Sequence, residues 1–309
     1  MRALVAAPGA SGGIELREVA DPEPGPSQAL VEVRGVSLNR GECVTLRQQT
    51  EDGWRPGWDL SGVVVRQAAD GTGPAAGARV VGWVNGESWA ERAAVRTDHC
   101  AELPSDLTFD VAATLPVAGL TALGTLARRG ALLGRRVAIT GAAGGVGRFA
   151  VQLAHRGGAH VTAIVGRPER AEGLAELGAD EVVIGLEPLG EPFDLVVESV
   201  GGASLASAIH RIAAEGLIVS IGNSSDEATS FDSRMLYRKG SPRIDGFFVT
   251  WELLHGRIGS EELSYLAALA ATGGLESRID LRVSWRDAAG AIDALLERRV
   301  DGKADLTID

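Results

Sequence analysis

Residues 139–152 read ITGAAGGVGRFAVQ. The run before the glycines, RVAI, is short, apolar and partly β-branched, as in a buried strand of a parallel sheet. The segment after them repeats its apolar residues at helical spacing. A strand, a glycine-rich turn and a helix form the setting in which such glycines receive the phosphates of a dinucleotide. A tight strand-to-helix turn without a ligand stays open as the alternative on this stretch alone.

Four residues of this stretch are the predicted cofactor contacts. Ala142 replaces the first glycine of G-x-G-x-x-G, so the motif here is A-x-G-x-x-G. Gly144 and Gly147 have no Cβ, which lets the backbone approach a pyrophosphate and the helix pack closely on the sheet. A helix that begins near Gly145 would direct free N–H groups and the positive end of its dipole at the anion. We therefore predict that Gly144, Gly145, Val146 and Gly147 bind the cofactor.

The rest of the chain shows two kinds of pattern. Residues 1–110 are short apolar or alternating runs separated by turn clusters, which predicts a β domain. From about residue 130, apolar strands alternate with helical stretches, which predicts a doubly wound parallel sheet. The helices predicted in this part and after residue 260 cover 145–156, 168–177, 203–212, 261–271 and 286–298. The predicted fold class is α/β.

Composition limits the function. The chain has 309 residues, of which 45% are hydrophobic, so it is expected to bury a large core and to form two domains. Its net charge of −11 argues against nucleic acid or an anionic membrane as the main partner. The apolar run at 111–127 contains Pro116 and two glycines, so we interpret it as buried protein and not as a membrane span. With Cys43 and Cys100 as the only cysteines, the expected location is the reducing cytoplasm.

Several short motifs occur in the same order as in a known superfamily. They are VRGVSLNRGE (33–42), PGWDLSGVVV (56–65), LPVAGLTALGTL (115–126), GAAGGVGRFAVQLA (141–154), ESVGG (198–202), IGNSS (221–225) and GKADL (302–306). By these motifs the chain resembles the medium-chain dehydrogenases/reductases. Within them it is most similar to the zinc-free quinone oxidoreductase branch, which includes zeta-crystallin and polyketide enoyl-reductase domains.

The resemblance implies a domain plan. A chaperonin-10-like β-barrel substrate domain would span residues 1–113, and a Rossmann domain that binds NADPH would span 114–255. Residues 256–309 would return to the catalytic domain. Members of the family are often dimeric through the edge of the Rossmann sheet, so a homodimer is expected.

The resemblance also indicates where zinc-dependent relatives hold catalytic zinc. Asn39 stands at the position of a cysteine ligand, and Gly57–Trp58–Asp59 stands where the relatives have Gly-His-Glu. An amide and an indole cannot replace the thiolate and imidazole that zinc requires. Near the structural-zinc loop, which has four cysteines in the relatives that carry it, this chain has only Cys100. We therefore predict that the protein binds no metal.

The end of the second predicted strand of the sheet indicates the preferred nicotinamide cofactor. Enzymes that prefer NAD place a carboxylate there to bind the ribose 2′-hydroxyl, whereas this chain has Val165 followed by Gly166 and Arg167. A guanidinium group pairs well with a 2′-phosphate, so Arg167 favours NADPH. Arg167 as a solvated loop residue is the alternative. Arg170 is a second candidate, although we expect it on the following helix.

The remaining site residues are implied by the resemblance. Asn39 would lie beside the nicotinamide and donate a hydrogen bond to the substrate oxygen, and Thr121 would contact the nicotinamide ring or its carboxamide. Asn223 would contact the cofactor after the fifth strand of the sheet. Trp54 and Trp58 would line a flat apolar pocket for a planar substrate, whereas Trp83 and Trp89 fit the β-domain core at least as well.

These residues favour one reaction class. Without a metal, hydride addition to the β-carbon of an enone or quinone remains accessible, provided that donors stabilise the enolate oxygen. We predict an NADPH-dependent, zinc-free reductase of an α,β-unsaturated carbonyl or a quinone. The alternatives are a polyketide-type enoyl reductase of secondary metabolism and a cofactor-binding protein with little catalysis. The sequence identifies neither the physiological substrate nor the proton donor, for which Glu42 and Arg47 are weak candidates.

Overall fold

The computed structural model describes residues 1–187 and 190–309. Its strands, in chain order, are β1 (Arg2–Ala6), β2 (Ile14–Glu18), β3 (Gln28–Leu38), β4 (Asp59–Arg66), β5 (Arg79–Trp83), β6 (Arg92–Arg96), β7 (Cys100–Glu102), β8 (Arg136–Thr140), β9 (His160–Val165), β10 (Glu181–Ile184), β11 (Phe193–Glu198), β12 (Ile212–Ser220), β13 (Arg243–Gly246), β14 (Ile279–Ser284) and β15 (Lys303–Thr307).

The α-helices alternate with these strands most regularly in the middle of the chain. They are α1 (Arg40–Gln48), α2 (Phe109–Ala113), α3 (Leu120–Ala127), α4 (Gly145–Arg156), α5 (Gly202–Arg211), α6 (Arg234–Arg238), α7 (Val249–Leu254), α8 (Ser260–Ala271) and α9 (Ala288–Leu296). A π-helical turn, Leu115–Gly119, immediately precedes α3.

The chain forms two compact units. The first combines residues 1–120 with residues 250–309, and the second comprises residues 121–249. The boundaries predicted from the sequence, 113/114 and 255/256, lie within seven residues of these. The assignment of substrate and cofactor roles to the two units stays a prediction.

The first unit is built on a seven-stranded sheet in which β15, from residues 303–307, pairs with β3, from residues 28–38. The strand order is β14-β15-β3-β4-β5-β7, with β6 paired to β3. Alternation along the strands gives this sheet two different buried faces. Val36, Leu38, Leu60 and Leu306 project into the apolar core, and their sequence neighbours on the same strands project to the other face.

The second unit is the doubly wound sheet that the sequence predicts. Its order is β10-β9-β8-β11-β12-β13, and every neighbouring pair is parallel. The first strand in sequence, β8, therefore lies beside β11 at the point where the strand order reverses. Ligands of such sheets bind at the carboxyl ends of the strands at this point.

One predicted helix is wrong. The segment 168–177 forms a short 3₁₀ turn, Pro168–Ala171, followed by turns and not by a continuous helix. Gly173 has a φ of +74°, which is left-handed backbone that ends a right-handed helix. Helices α4, α5, α8 and α9 lie within two residues of their predicted bounds.

Candidate functional site

The glycine-rich turn between β8 and α4 is closely packed. A Cβ on Gly147 would lie 2.4 Å from the carbonyl oxygen of Gly141 and 2.6 Å from the Cα of Ala142, so the start of α4 touches the turn backbone directly. A Cβ on Gly144 would contact only the carbonyl oxygen of Gly141, at 3.3 Å. Gly147 is therefore required by the packing of the protein itself, whereas the space beside Gly144 is available to a ligand.

Two helices, α4 and α5, begin at the carboxyl edge of the sheet next to the point where the strand order reverses. At the start of α4, Gly144 is the N-cap residue and no side chain caps the helix. The first amides of the helix, those of Gly145, Val146 and Gly147, have no acceptor within the helix. The start of α4 is therefore suited to an anion such as a pyrophosphate.

The loop that leads into α5 is held by a buried carboxylate of the protein. Glu198, the last residue of β11, is fully buried and accepts hydrogen bonds from the amides of Val200 (3.1 Å) and Gly201 (2.9 Å). It also accepts from the hydroxyl of Ser204 (2.9 Å). Glu198 therefore ties the loop before α5 and the first turn of α5 to the end of β11.

Arg167 lies at the same edge of the sheet as the glycine turn. Strands β8 and β9 are paired up to Thr140 and Ile164, so their carboxyl ends are adjacent. Val165 ends β9 and is buried, and Arg167, two residues further, is exposed. Arg170 is half-buried in the 3₁₀ turn that follows.

Asn223 is held in the loop after β12, against the loop after β11. Its Oδ1 accepts from the hydroxyl of Ser225 (3.0 Å), and its Nδ2 donates to the carbonyl of Glu227 (3.2 Å). A Cβ on Gly201 would lie 2.0 Å from Asn223 Oδ1, so the two loops are in contact. The second unit thus brings the glycine turn, Arg167 and Asn223 to one edge of one sheet.

Asn39 belongs to a buried polar layer in the first unit. The layer covers the face of the sheet opposite the apolar core and contains Ser37, Asn39, Asp59, Ser61, Lys303 and Asp305, all buried or nearly so. One pair lies in β4, one lies in β15, and Ser37 in β3 forms the third with Asn39, the residue directly after that strand; each pair has the two-residue spacing of one strand face. Asn39 itself is the N-cap residue of α1.

The contacts of Asn39 fix the orientation of its amide. Nδ2 donates to Asp59 Oδ2 (2.9 Å) and to Glu42 Oε1 (3.1 Å), while Oδ1 accepts from Lys303 Nζ (2.7 Å). Lys303 Nζ also donates to the carbonyl of Leu38 (2.9 Å) and lies 3.8 Å from Asp59 Oδ2. Both amide hydrogens of Asn39 are therefore donated within the protein.

Glu42, Asp59 and Lys303 place two carboxyl groups and one ammonium group in this buried cluster. Burial, followed by the charge of Asp59, raises the pKa of Glu42 to about 8. Burial raises the pKa of Asp59 to about 6, although Lys303, Asn39 and the amide of Val117 all favour its ionised form. Burial therefore favours the protonated form of Glu42, whereas Lys303, Asn39 and Val117 favour the carboxylate of Asp59.

The remaining predicted site residues lie as follows. Thr121 is buried in the first turn of α3, and its carbonyl accepts from the hydroxyl of Thr125 (2.6 Å). The half-buried Trp54 packs against the apolar core of the first unit. The half-buried Trp58 lies against Gly41, where a Cβ would be 2.9 Å from the ring. Arg47, a weak proton-donor candidate, forms an ion pair with Asp293.

Trp83 and Trp89, for which the sequence left two interpretations, are both buried in the first unit. Each is 1% exposed, and Trp89 belongs to its apolar core. The edge of the Trp83 ring packs against the buried His99, with 5.4 Å between ring centroids. This placement agrees with the core interpretation of the two residues.

The side chains of the first unit do not match a catalytic zinc site. Cys43 and Cys100 are buried, and burial raises the pKa of both thiols, that of Cys100 to about 12, which disfavours the thiolate that zinc binds. Within residues 1–187 and 190–309, no group of three or more His, Cys, Asp or Glu side chains is arranged to hold a metal ion. The absence of metal from the native protein stays a prediction.

Three buried charged residues of the site were not predicted from the sequence. Glu198, Asp59 and Lys303 are each a charged residue that opens or closes an apolar strand and is buried in the structure. The signal was present, since ESVGG, PGWD and GKADL are all motifs of the resemblance. Their partners, however, come from distant parts of the chain, and spacing along the sequence does not identify them.

Comparisons with known proteins agree with this arrangement. A family profile described as zinc-binding dehydrogenase matches residues 145–252, a range that excludes Asn39 and Trp58. The chain is 28% identical over 319 aligned residues to the chloroplastic quinone-oxidoreductase QR1 of Triphysaria versicolor, with 96% of this chain and 94% of the relative covered. Along the part of the chain that the structure describes, no helix is long and apolar enough to cross a membrane.

Solved structures share the fold over the whole chain. The quinone oxidoreductase from Coxiella burnetii is 26% identical, with a TM-score of 0.85 and coverage of 100% of this chain and 99% of the other. The Escherichia coli quinone oxidoreductase solved in complex with NADPH is 23% identical, with a TM-score of 0.85 and full coverage of both chains. These likenesses confirm the predicted fold class.

Proposed function

Because this chain belongs to the quinone oxidoreductase branch of the medium-chain dehydrogenases/reductases, we propose that it is an NADPH-dependent reductase of quinones or α,β-unsaturated carbonyls. The observation that carries the proposal is the uncapped start of α4, which follows a glycine turn where the order of a parallel sheet reverses. A neighbour of the same fold has been solved with NADPH, which supports this choice of cofactor.

In this proposal the second unit holds the cofactor. The amides of Gly145, Val146 and Gly147 bind the pyrophosphate, and Gly144 leaves room for its close approach. Arg167 pairs with the 2′-phosphate, and Asn223 contributes from the loop after β12. The buried, uncharged Val165 supports NADPH over NADH, because a carboxylate in this place would repel the 2′-phosphate.

The chemistry that we propose is conjugate reduction. Bound NADPH supplies a hydride to the β-carbon of the substrate, and a proton completes the reduction at carbon or oxygen. The protein must stabilise the oxygen on which negative charge develops. Asn39 and Thr121 remain our candidates for this end of the site, with Trp54 and Trp58 beside a planar substrate. Asn39 Nδ2 can donate to a substrate only if it breaks its hydrogen bond to Glu42 or to Asp59. The bond to Glu42 is the longer of these two.

Steady-state oxidation of NADPH tests the reaction class. We expect turnover with at least one quinone or enone from a panel of both, no turnover with simple ketones, and unchanged activity after dialysis against a chelator. A preference for extended enone thioesters would favour the polyketide-type enoyl reductase. Binding of NADPH without turnover of any acceptor would favour a cofactor-binding protein, and failure to bind NADPH or NADH would refute the proposal.

We further propose that the protein is a cytoplasmic homodimer. Strand β13 is an edge of the parallel sheet and carries Ile244, which is 40% exposed, and an unpaired edge of this kind favours pairing with a second copy. The free thiols of Cys43 and Cys100 are compatible with a reducing compartment. Light scattering of the purified protein should give twice the chain mass of 32.1 kDa, and a monomer at micromolar concentration would contradict the proposal.

A further inference from the structure

The carboxylate of Glu198 connects the two loops that flank the point where the strand order reverses. Besides its three donors at the start of α5, it accepts from the hydroxyl of Thr140 (3.2 Å), the last residue of β8. Thr140 is also the residue directly before the glycine turn. One buried side chain therefore contacts both the strand that leads into the proposed phosphate site and the loop beside it.

Further bonds extend this connection on the β8 side. The amide of Ser199 donates to Thr140 Oγ1 (2.9 Å), and the hydroxyl of Ser199 donates to the carbonyl of Thr140 (3.0 Å). Gly141 has a φ of +60°, and a Cβ there would lie 2.6 Å from Ser199 Oγ. The course of the backbone at Gly141 thus depends on where Ser199 is held.

The same loop is tied to Asn223 on the other side. The amides of Ser224 and Ser225 donate to the carbonyls of Ser199 (3.1 Å) and Val200 (2.8 Å). The loops after β8, β11 and β12 therefore form one hydrogen-bonded layer along the carboxyl edge of the sheet. Glu198 lies beneath the loop after β11. Its carboxylate accepts four hydrogen bonds, three from this layer and one from Ser204 in α5.

We propose that Glu198 is a positioning residue for dinucleotide binding. It fixes the loop after β11, which in turn fixes the glycine turn and Asn223 around the proposed pyrophosphate site at the start of α4. This inference rests on the proposed function. Since the pyrophosphate is common to both nicotinamide cofactors, Glu198 acts equally on NADPH and NADH, unlike Arg167.

The variant Glu198→Gln tests this role. Glutamine keeps the shape of the side chain but turns one acceptor oxygen into a donor, which must then face the N–H or O–H groups now bound to Glu198. We expect the Kd of both NADPH and NADH, measured by fluorescence titration, to rise at least tenfold and by similar factors. At saturating NADPH, kcat should stay within about threefold of the wild type, because Glu198 does not contact the reacting atoms.

Glu181→Gln is the matched control. Glu181 also accepts a threonine hydroxyl from a neighbouring strand, that of Thr162 (3.3 Å), but it lies at the amino end of β10, the opposite edge of the sheet. The Kd of the Glu181→Gln protein for each cofactor should equal that of the wild type. Should Glu198→Gln fail to fold, Thr140→Val and Ser204→Ala each remove a single donor to Glu198 and should raise both Kd values by smaller, similar factors.

The outcomes separate the two proposals. A folded Glu198→Gln protein that binds both cofactors within twofold of the wild type, with only a lowered Tm, would show that Glu198 is merely structural and would overturn this inference. With Glu198→Gln unfolded, unchanged binding by both single-donor variants would overturn it equally. A wild-type protein that binds neither cofactor would overturn both this inference and the proposed function.

Discussion

At the scale of single residues, Arg167 carries the expected discrimination between the two nicotinamide cofactors. Its guanidinium is exposed at the carboxyl edge of the sheet, next to the strand that leads into the glycine turn. Arg167→Ala should weaken the binding of NADPH by about 1.5–3 kcal/mol, or roughly 10- to 150-fold in Kd, because it removes a charge-assisted contact to the 2′-phosphate. NADH should be little affected.

Parallel titrations of the two cofactors measure this difference. Arg156→Ala is a suitable control, since Arg156 is an exposed arginine at the far end of α4. If Arg167→Ala weakens the binding of NADPH and NADH equally, Arg167 is not the residue that discriminates between them. A wild-type protein that binds NADH more tightly than NADPH would also contradict the interpretation of Val165.

Asn39 is the second residue whose role a substitution can test. Removal of an oxyanion donor typically costs about 2.7–4 kcal/mol, but both amide hydrogens of Asn39 already have acceptors in the protein. We therefore expect Asn39→Ala to lower kcat by only about tenfold, with an unchanged Kd for NADPH. Enone turnover and NADPH titration of the same preparation measure the two quantities.

Two further variants complete this test. Asn85→Ala, which changes an exposed asparagine of the same unit, should behave as the wild type. Asn39→Asp should lower Tm more than Asn39→Ala does, because it adds a carboxylate beside Asp59 and Glu42. A wild-type kcat for Asn39→Ala would mean that Asn39 serves the polar layer alone.

At the scale of elements, the two glycines of the turn are expected to fail in different ways. Gly147→Ala places a Cβ 2.4 Å from a carbonyl oxygen, so it should lower the free energy of unfolding by about 1–3 kcal/mol. A Cβ on Gly144 would contact the protein only at 3.3 Å, so the variant Gly144→Val should fold but lose NADPH binding by steric exclusion. Thermal unfolding and NADPH titration separate the effects; an unfolded Gly144→Val or an unchanged Tm for Gly147→Ala would contradict this division.

The accuracy of the sequence analysis also differs from element to element. Helix α4 was predicted from residue 145 to residue 156 because the local signals, a glycine turn and an apolar period, agree with its packing. The segment 168–177 has a helical composition, but its conformation is set by left-handed backbone at Gly173, which composition does not reveal. The partners of Asn39 were out of reach for another reason: Asp59 and Lys303 lie 20 and 264 positions away in the sequence.

At the scale of the whole molecule, the polar layer joins the two ends of the chain and makes stability depend on pH. Glu42 has an ordinary pKa of 4.5 when unfolded and about 8 when folded, so between these values the folded protein binds more protons than the unfolded chain. The stabilisation from protonated Glu42 is complete below pH 4.5 and is lost as the pH rises through about 8. One such group changes the free energy of unfolding by at most about 1.4 kcal/mol per pH unit.

Urea unfolding of the wild type and of Glu42→Gln from pH 5 to pH 8.5 measures this contribution. We expect the difference in unfolding free energy between the two proteins to shift in favour of Glu42→Gln as the pH rises, because glutamine cannot ionise in the buried cluster. Glu51→Gln, at an exposed position of the same unit, should show no such shift. A pH-independent difference for Glu42→Gln would contradict the assignment of a buried, protonated carboxyl.

The position of β15 has a consequence for how the protein is made. This strand lies inside the first sheet, between β14 and β3, although its residues 303–307 leave the ribosome long after residues 1–120. At about 5–20 residues per second, the nascent first unit waits roughly 10–40 s for the strand that completes it. During that interval the flank of β3 that β15 will cover lacks its partner, while residues 121–249 already have every strand of their own sheet. Residues 1–120 are thus synthesised before residues 121–249 but finish folding after them, and the uncovered flank of β3 is where nascent chains would bind one another or a chaperone.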